Sequence, residues 1–336
     1  MGEGKMRKSL VVGMILVFLV AVLAAGCGGD KKMVSPAPAQ SKYPEKEITI
    51  ICPWPPGGSS DLLTRAIAQA ANKHLTKPMI VVNRDGANGM IATTDLAKAK
   101  PDGYTLSLGV SGLFTNQPYI QKNLGYKQDD FDFLMGFTNE PILLTVNAES
   151  PYKTLEDLID AAKEKNMLIR FGNSGMGGFP QLSLTYLFQL AGVKAQPVPF
   201  KGGAPALAAL MGGHLEAAAS HPGEAVPQIK AGKLRALAIS SLTRFAALPD
   251  VPTMKEKGYN IDMGVKKYVF APQGLPADVR SKLIDVLQKV HADPEFKKYM
   301  ANINLMIEPM DSKQVVGYFN EQGPVMKKLL EEMPKP

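Results

Sequence analysis

Along most of the chain, short apolar runs of strand length alternate with segments whose apolar positions recur every three or four residues. EITIIC (47–52), MIVVN (79–83), YTLSLG (104–109), PILLTVN (141–147), MLIRFG (167–172), KLRALAIS (233–240) and KYVFAP (267–272) predict strands. DLLTRAIAQAANKHL (61–75), TLEDLIDAAKEK (154–165) and APALAALMGG (204–213) predict helices between them. Such alternation argues for an α/β fold with largely parallel strands. The last third changes to helix: 276–293, 294–302 and 311–333 carry the helical period, and Ala277, Val279, Leu283, Val286, Leu287 and Val290 mark a face that packs on a sheet. From Tyr43 onward there are roughly 290 residues, more than one core usually holds, so two lobes are expected.

The start of the chain follows a different pattern. Lys5, Arg7 and Lys8 precede the apolar run LVVGMILVFLVAVLAA, which is shorter than the roughly 20 residues a membrane span needs and ends in small residues. Residues 1–26 are therefore expected to be an export signal. The sequence LAAGC resembles a bacterial lipoprotein signal, with Ala24 where that pattern prefers Leu, and the resemblance implies that Cys27 becomes the lipid-modified first residue. Residues 27–42, rich in Gly, Pro, Ser and Lys, have almost nothing to bury and suit a flexible tether.

There are only two cysteines. With Cys27 lipidated, Cys52 has no partner, and its place at the end of ITIIC predicts a buried strand thiol. The formal charge is +7, spread without any block of five or six basic residues and without basic–aromatic interleaving, which speaks against nucleic acid as a partner. A mild positive field still helps to gather small anions.

The candidate chemistry lies in two loops. In PWPPGGSSD (53–61), Gly57 and Gly58 allow close approach, Ser59 or Ser60 is expected to cap a helix, and free N–H groups at the helix start suit an anion. Trp54, the only tryptophan, walls that loop or packs beneath it, and Asp61 sits in the first turn, where a carboxylate favours the dipole. FGNSGMGGFPQ (171–181) repeats the grammar of strand, small-residue loop and helix, offering Ser174, Gly175 and Gly177. Ligands in open α/β sheets bind beyond the carboxyl ends of strands, so two such loops can share one cleft.

Enzyme signatures are missing. Met176 stands where a nucleophile elbow needs glycine, and neither a phosphate-cradling lysine loop nor a dinucleotide fingerprint occurs. The four histidines are scattered: His74 and His291 fall in helical surface patterns, His214 in a turn, and His221 at the end of LEAAAS, where it could touch a ligand. No metal site and no cofactor are expected. An exported hydrolase using Ser174 would need a placed base, and none is visible.

Six spaced segments carry a resemblance: 43–65, 81–106, 152–159, 171–178, 198–217 and 229–259. In order and spacing the chain from Tyr43 to its end resembles the solute-binding proteins of tripartite tricarboxylate transporters, also called the Bug family. The resemblance implies a two-lobed periplasmic-binding-protein-like (type II) fold, each lobe a mostly parallel sheet flanked by helices. Its crossings lie near 141–147 and 264–271, with lobe 1 built from 43–142 plus 265–336 and lobe 2 from 143–264. It also implies a small organic carboxylate held by Pro56, Gly57, Gly58, Ser59 and Asp61, with Ser111 from the loop after the third strand and Ser174, Gly175 and Gly177 opposite. The implied protein is a monomeric receptor without catalysis, delivering its ligand to membrane permease subunits and touching the membrane through the Cys27 lipid alone. A sensory receptor docking on a kinase is the alternative. Two departures bear on the ligand: Ser220-His221 replaces the Asp-Asn of many members, followed here by Pro222-Gly223-Glu224, and Lys267 or Tyr268 aligns with a frequent aromatic. Losing an acid and gaining His221 favours a more anionic ligand.

Overall fold

The structure, a computed structural model, describes residues 42–333. The expected signal peptide, the tether apart from Lys42, and Cys27 lie outside these residues. Eleven strands are described: β1 (Ile48–Cys52), β2 (Met79–Asn83), β3 (Thr105–Val110), β4 (Phe131–Glu140), β5 (Ile142–Asn147), β6 (Ile169–Asn173), β7 (Ala195–Pro199), β8 (Ala217–Ser220), β9 (Leu234–Ser240), β10 (Val265–Pro272) and β11 (Ile307–Asp311). They form two sheets, ordered β11-β4-β10-β3-β1-β2 and β7-β6-β8-β5-β9. The helices are α1 (Ser59–Ala71), α2 (Met90–Ala97), α3 (Gly112–Thr115), α4 (Gln117–Ile120), α5 (Leu155–Glu164), α6 (Phe179–Leu190), α7 (Gly203–Met211), α8 (Pro222–Lys230), α9 (Ala277–Ala292), α10 (Pro294–Asn302) and α11 (Ser312–Glu332).

The α/β class holds, but the sheets are mixed rather than mostly parallel. Pairings β1–β2, β1–β3, β6–β7 and β6–β8 are parallel, whereas β10 runs antiparallel to β3 and β4, β11 to β4, and β5 to β8 and β9. The cause is the path of the chain. β4 of the first sheet continues through Pro141 into β5 of the second, and after β9 the chain returns through 241–264 to β10. Strands that carry the chain between sheets oppose the local βα units.

Three apolar clusters hold the fold. Ile48, Ile50, Leu106 and Val269 pack on Leu63 and Ile67 of α1 and on Leu283 and Leu287 of α9. On the other face Phe114 meets Phe133 edge-on at 5.2 Å, with Tyr268, Phe270 and Phe319 of α11 around it. Each such ring pair adds about 0.5–1.5 kcal/mol beyond area burial. In β5 the period of two is plain: Leu143 joins Leu207, Leu210 and Val226, while Ile142 and Leu144 face the cluster that contains Leu184 and Leu187.

Two local expectations are corrected. α1 is capped by Gly58, in extended backbone with no side-chain cap, and Ser59 and Ser60 lie inside its first turn. His291 is not on a surface: it is buried, stacks on Phe137 at 4.3 Å between centroids, and its Nε2 lies 2.9 Å from the Gly136 carbonyl oxygen. Cys52 is a free, buried thiol at the end of β1, its pKa raised by burial.

Candidate functional site

Four helices begin at one cleft. The N-caps of α1, α6, α7 and α8 are Gly58, Gly178, Gly202 and His221, and all four residues line a cavity of about 560 Å³ that opens to solvent. Three of the caps are glycines without side-chain hydrogen bonds, so no cap side chain shields the first N–H groups of α6 and α7, while the first of α1, at Ser59, is taken by a carboxylate from α8. Each helix start attracts a carboxylate by about 0.3–1 kcal/mol, and up to about 2 when partly buried. The walls are apolar: Trp54, Pro55, Val110, Phe179, Pro205 and Val265. α1 belongs with the first sheet, and the other three helices follow strands of the second.

Beneath α1 lies a charge pair that the sequence reading did not single out as a site. Lys267 in β10 and Glu140 at the end of β4 are both fully buried, with Nζ 2.7 Å from Glu140 Oε1 and 2.9 Å from Oε2. Lys267 also donates to Ser59 Oγ at 2.6 Å, Ser59 Oγ donates to Glu140 Oε2 at 2.5 Å, and Thr138 Oγ1 donates to Oε1 at 3.1 Å. Burial would push the Glu140 carboxyl up. The nearby Lys267 charge, with the hydrogen bonds from Lys267 and Ser59, outweighs it and holds the group below its ordinary value. The pair thus spends its charge on itself and on fixing the first residue of α1.

Glu224, in the first turn of α8, reaches across to α1. Its Oε2 accepts from the Ser59 N–H at 3.3 Å and its Oε1 from the His221 N–H at 3.2 Å. Burial, opposed by those two N–H groups and by Lys267, raises it to about 7. His221 Nδ1 lies 3.4 Å from Glu140 Oε2 without hydrogen-bond alignment, and burial followed by the Lys267 charge lowers its pKa to about 4, so the ring is neutral near pH 7. His221 therefore brings no cation, contrary to the expectation drawn from its type.

Of the expected residues, Trp54, Pro56, Gly58, Ser59, Ser174 and His221 line the cleft. Gly57, Asp61, Ser111, Gly175 and Gly177 do not. The Gly57 N–H donates to Asp61 Oδ2, and Asp61 is otherwise taken by Arg65 and Asn83, so that carboxylate locks the loop from behind. Ser111 Oγ is fully buried and accepts from the Lys266 N–H at 3.2 Å. The Gly175 and Gly177 N–H groups donate to Asn173 and Gln181 side chains, at 3.0 and 2.6 Å. What this loop offers the first sheet is carbonyl oxygens: Met176 accepts from Asn88 and Gln117, and Gly177 from Asn116. Glu140, Lys267 and Glu224 were legible only as single charges inside or beside apolar runs. Among the described residues no group of three or more His, Cys, Asp or Glu could hold a metal ion, and no helix is long and apolar enough to cross a membrane.

Residues 63–334 match the family described as "Tripartite tricarboxylate transporter family receptor". The chain belongs to this family. Tripartite tricarboxylate transporter receptors are extracytoplasmic solute-binding proteins and not enzymes, which removes the hydrolase reading of Ser174. Solved relatives include the periplasmic binding protein BugD, 31% identical with a TM-score of 0.82, over 86% of this chain and 98% of that one. Rpa4515 of R. palustris with adipate is 25% identical, TM-score 0.82, covering 86% of this chain and 97% of that one. MatC (Rpa3494) of Rhodopseudomonas palustris with bound malate is 26% identical, TM-score 0.79, covering 86% and 100%.

Proposed function

We propose that this receptor captures a small organic carboxylate, of dicarboxylate or tricarboxylate type, between two lobes and delivers it to the permease subunits of a tripartite transporter. The lobes are 43–142 plus 265–336, and 143–264. Cys27 holds the protein to the membrane by a lipid. The observation that carries the reading is the convergence of four helix starts, three capped by bare glycine, on one apolar-walled cleft fed by both sheets. Malate and adipate in two relatives support a dicarboxylate. Closure is a hinge motion favoured by a ligand that touches both lobes only when they are shut.

A thermal-shift screen of malate, adipate, citrate and benzoate tests the reading. A ligand at 100 times its Kd adds about 2.7 kcal/mol, which at about 2–4 °C per kcal/mol for a chain of this size raises Tm by roughly 5–10 °C. A Cβ at Gly58 would stand 3.5 Å from Glu224 Oε2, so the branches of a larger side chain must enter the cleft. Gly58→Val is expected to abolish the shift while the unliganded Tm stays near that of the wild type. Unchanged affinity in Gly58→Val would remove the α1 start from the site.

A further inference from the structure

Among the charged groups described around the cleft, Glu224 is the one that forms no ion pair. Lys267 of β10 and Glu140 of β4 neutralise each other, and His221, at the start of Glu224's own helix, is neutral. Asp61 of α1 is held by Arg65, and Lys201, ahead of α7, lies at the rim 3.9 Å from Asp85. Within α7, Gly203, Ala204 and Pro205 bring no titratable group. The Glu224 carboxylate is buried against this surround, and a Cβ at Gly203 would collide with its Oε1 and Oε2. It thus sits inside the cleft at the start of α1, where a ligand carboxylate is expected, and takes the Ser59 N–H for itself.

We propose that Glu224 sets the charge with which ligand is bound: a dicarboxylate enters the cleft together with one proton, taken from solvent onto Glu224, whose O–H then donates to the ligand carboxylate. The proposal rests on the carboxylate-receptor reading above and adds to it the residue that admits the anion. Atoms balance simply: one O–H bond forms on Glu224, and no other covalent bond changes. Ionised, Glu224 would place a second negative charge beside the ligand in a poorly solvated site, with Lys267 already spent on Glu140. Neutral, it releases one N–H to the ligand and supplies a donor of its own. Burial brings the group up to about 7, so little is needed to complete protonation near neutral pH.

Isothermal titration of the full chain with malate, adipate, citrate and aspartate, at pH 6.5 and 8.5 in buffers of different ionisation enthalpy, counts the protons. If only the protonated form binds, Kd weakens roughly twentyfold between those pH values, and about one proton is taken up per ligand at pH 8.5. In Glu224→Gln the slope is lost, with Kd changing less than threefold. Wild-type binding without proton uptake overturns the proposal and leaves the receptor reading intact, and needs no variant. So does a full pH slope in Glu224→Gln, or a preference for aspartate over malate that disappears in Glu224→Gln, which would make Glu224 an ammonium partner. Failure of malate, adipate and citrate to bind at either pH overturns both readings together.

Discussion

Replacing Lys267 by Met leaves the Glu140 carboxylate buried without its cation, and the size of the penalty follows from the surroundings of the pair. Breaking a buried ion pair from one side costs about 3–5 kcal/mol. Here the loss has a ceiling, because Glu140 can take up a proton instead of staying charged. From an ordinary carboxyl value of 4.5, protonation at pH 7 costs about 3 kcal/mol, at 1.36 kcal/mol per unit. In the wild type Glu140 is held low, so the contribution of the pair is complete above pH 4.5 and lost only as pH falls through the lower folded value. In Lys267→Met the folded value rises above 4.5, and stability falls as pH rises. The gap between the chains, read by urea unfolding at matched m-values, is therefore expected to widen by up to about 3 kcal/mol between pH 5 and pH 7. The double variant Lys267→Met, Glu140→Gln is expected to lose the pH slope. A gap below about 1 kcal/mol at pH 7, or one that does not narrow towards pH 5, would refute the argument that the two charges depend on each other.

Two further outcomes are expected. Gly203→Ala should destabilise by about 1–3 kcal/mol, because its methyl group meets the Glu224 carboxylate rather than any backbone strain, and a double-mutant cycle with Glu224→Ala should show most of that cost vanishing. Cys27→Ser, expressed in a lipoprotein-processing host, should lose palmitate labelling and move from the detergent to the aqueous phase in Triton X-114 partitioning; a wild type found in the aqueous phase would exclude the anchor.

Most of the fold was legible because one-sided burial leaves a period in the sequence. The strand KLRALAIS and the helices after Pro276 fall within a residue or two of where periodicity puts them. Three strands were not read: β7 (AQPVP) and β11 (IEPMD) are short, contain proline and lie at sheet edges, where little burial is required, whereas β4 (FDFLMGFTNE) is internal and buried on both faces, so it shows no alternation of apolar and polar positions. The excess of antiparallel pairing was hidden for another reason: direction depends on how the chain crosses between sheets, which no local pattern records. At the cleft the glycines and serines marked the right loops. They could not say which N–H groups would be taken by Asp61, Asn173 and Gln181, because those acceptors sit two to four residues away in either direction and are ordinary turn residues in type. Nor could Lys267 be paired with Glu140 from 127 residues away.

Pro141 alone separates β4 from β5, so the passage between the sheets is one residue long, and Glu140 is the residue next to it. A carboxylate attached one peptide from a joint cannot stay still while the joint turns. Because Glu140 also holds Ser59 and Lys267, the first turn of α1 is tied to the residue beside this passage, and under the hinge motion proposed above a swing about Pro141 would be felt at the backbone proposed to meet the anion.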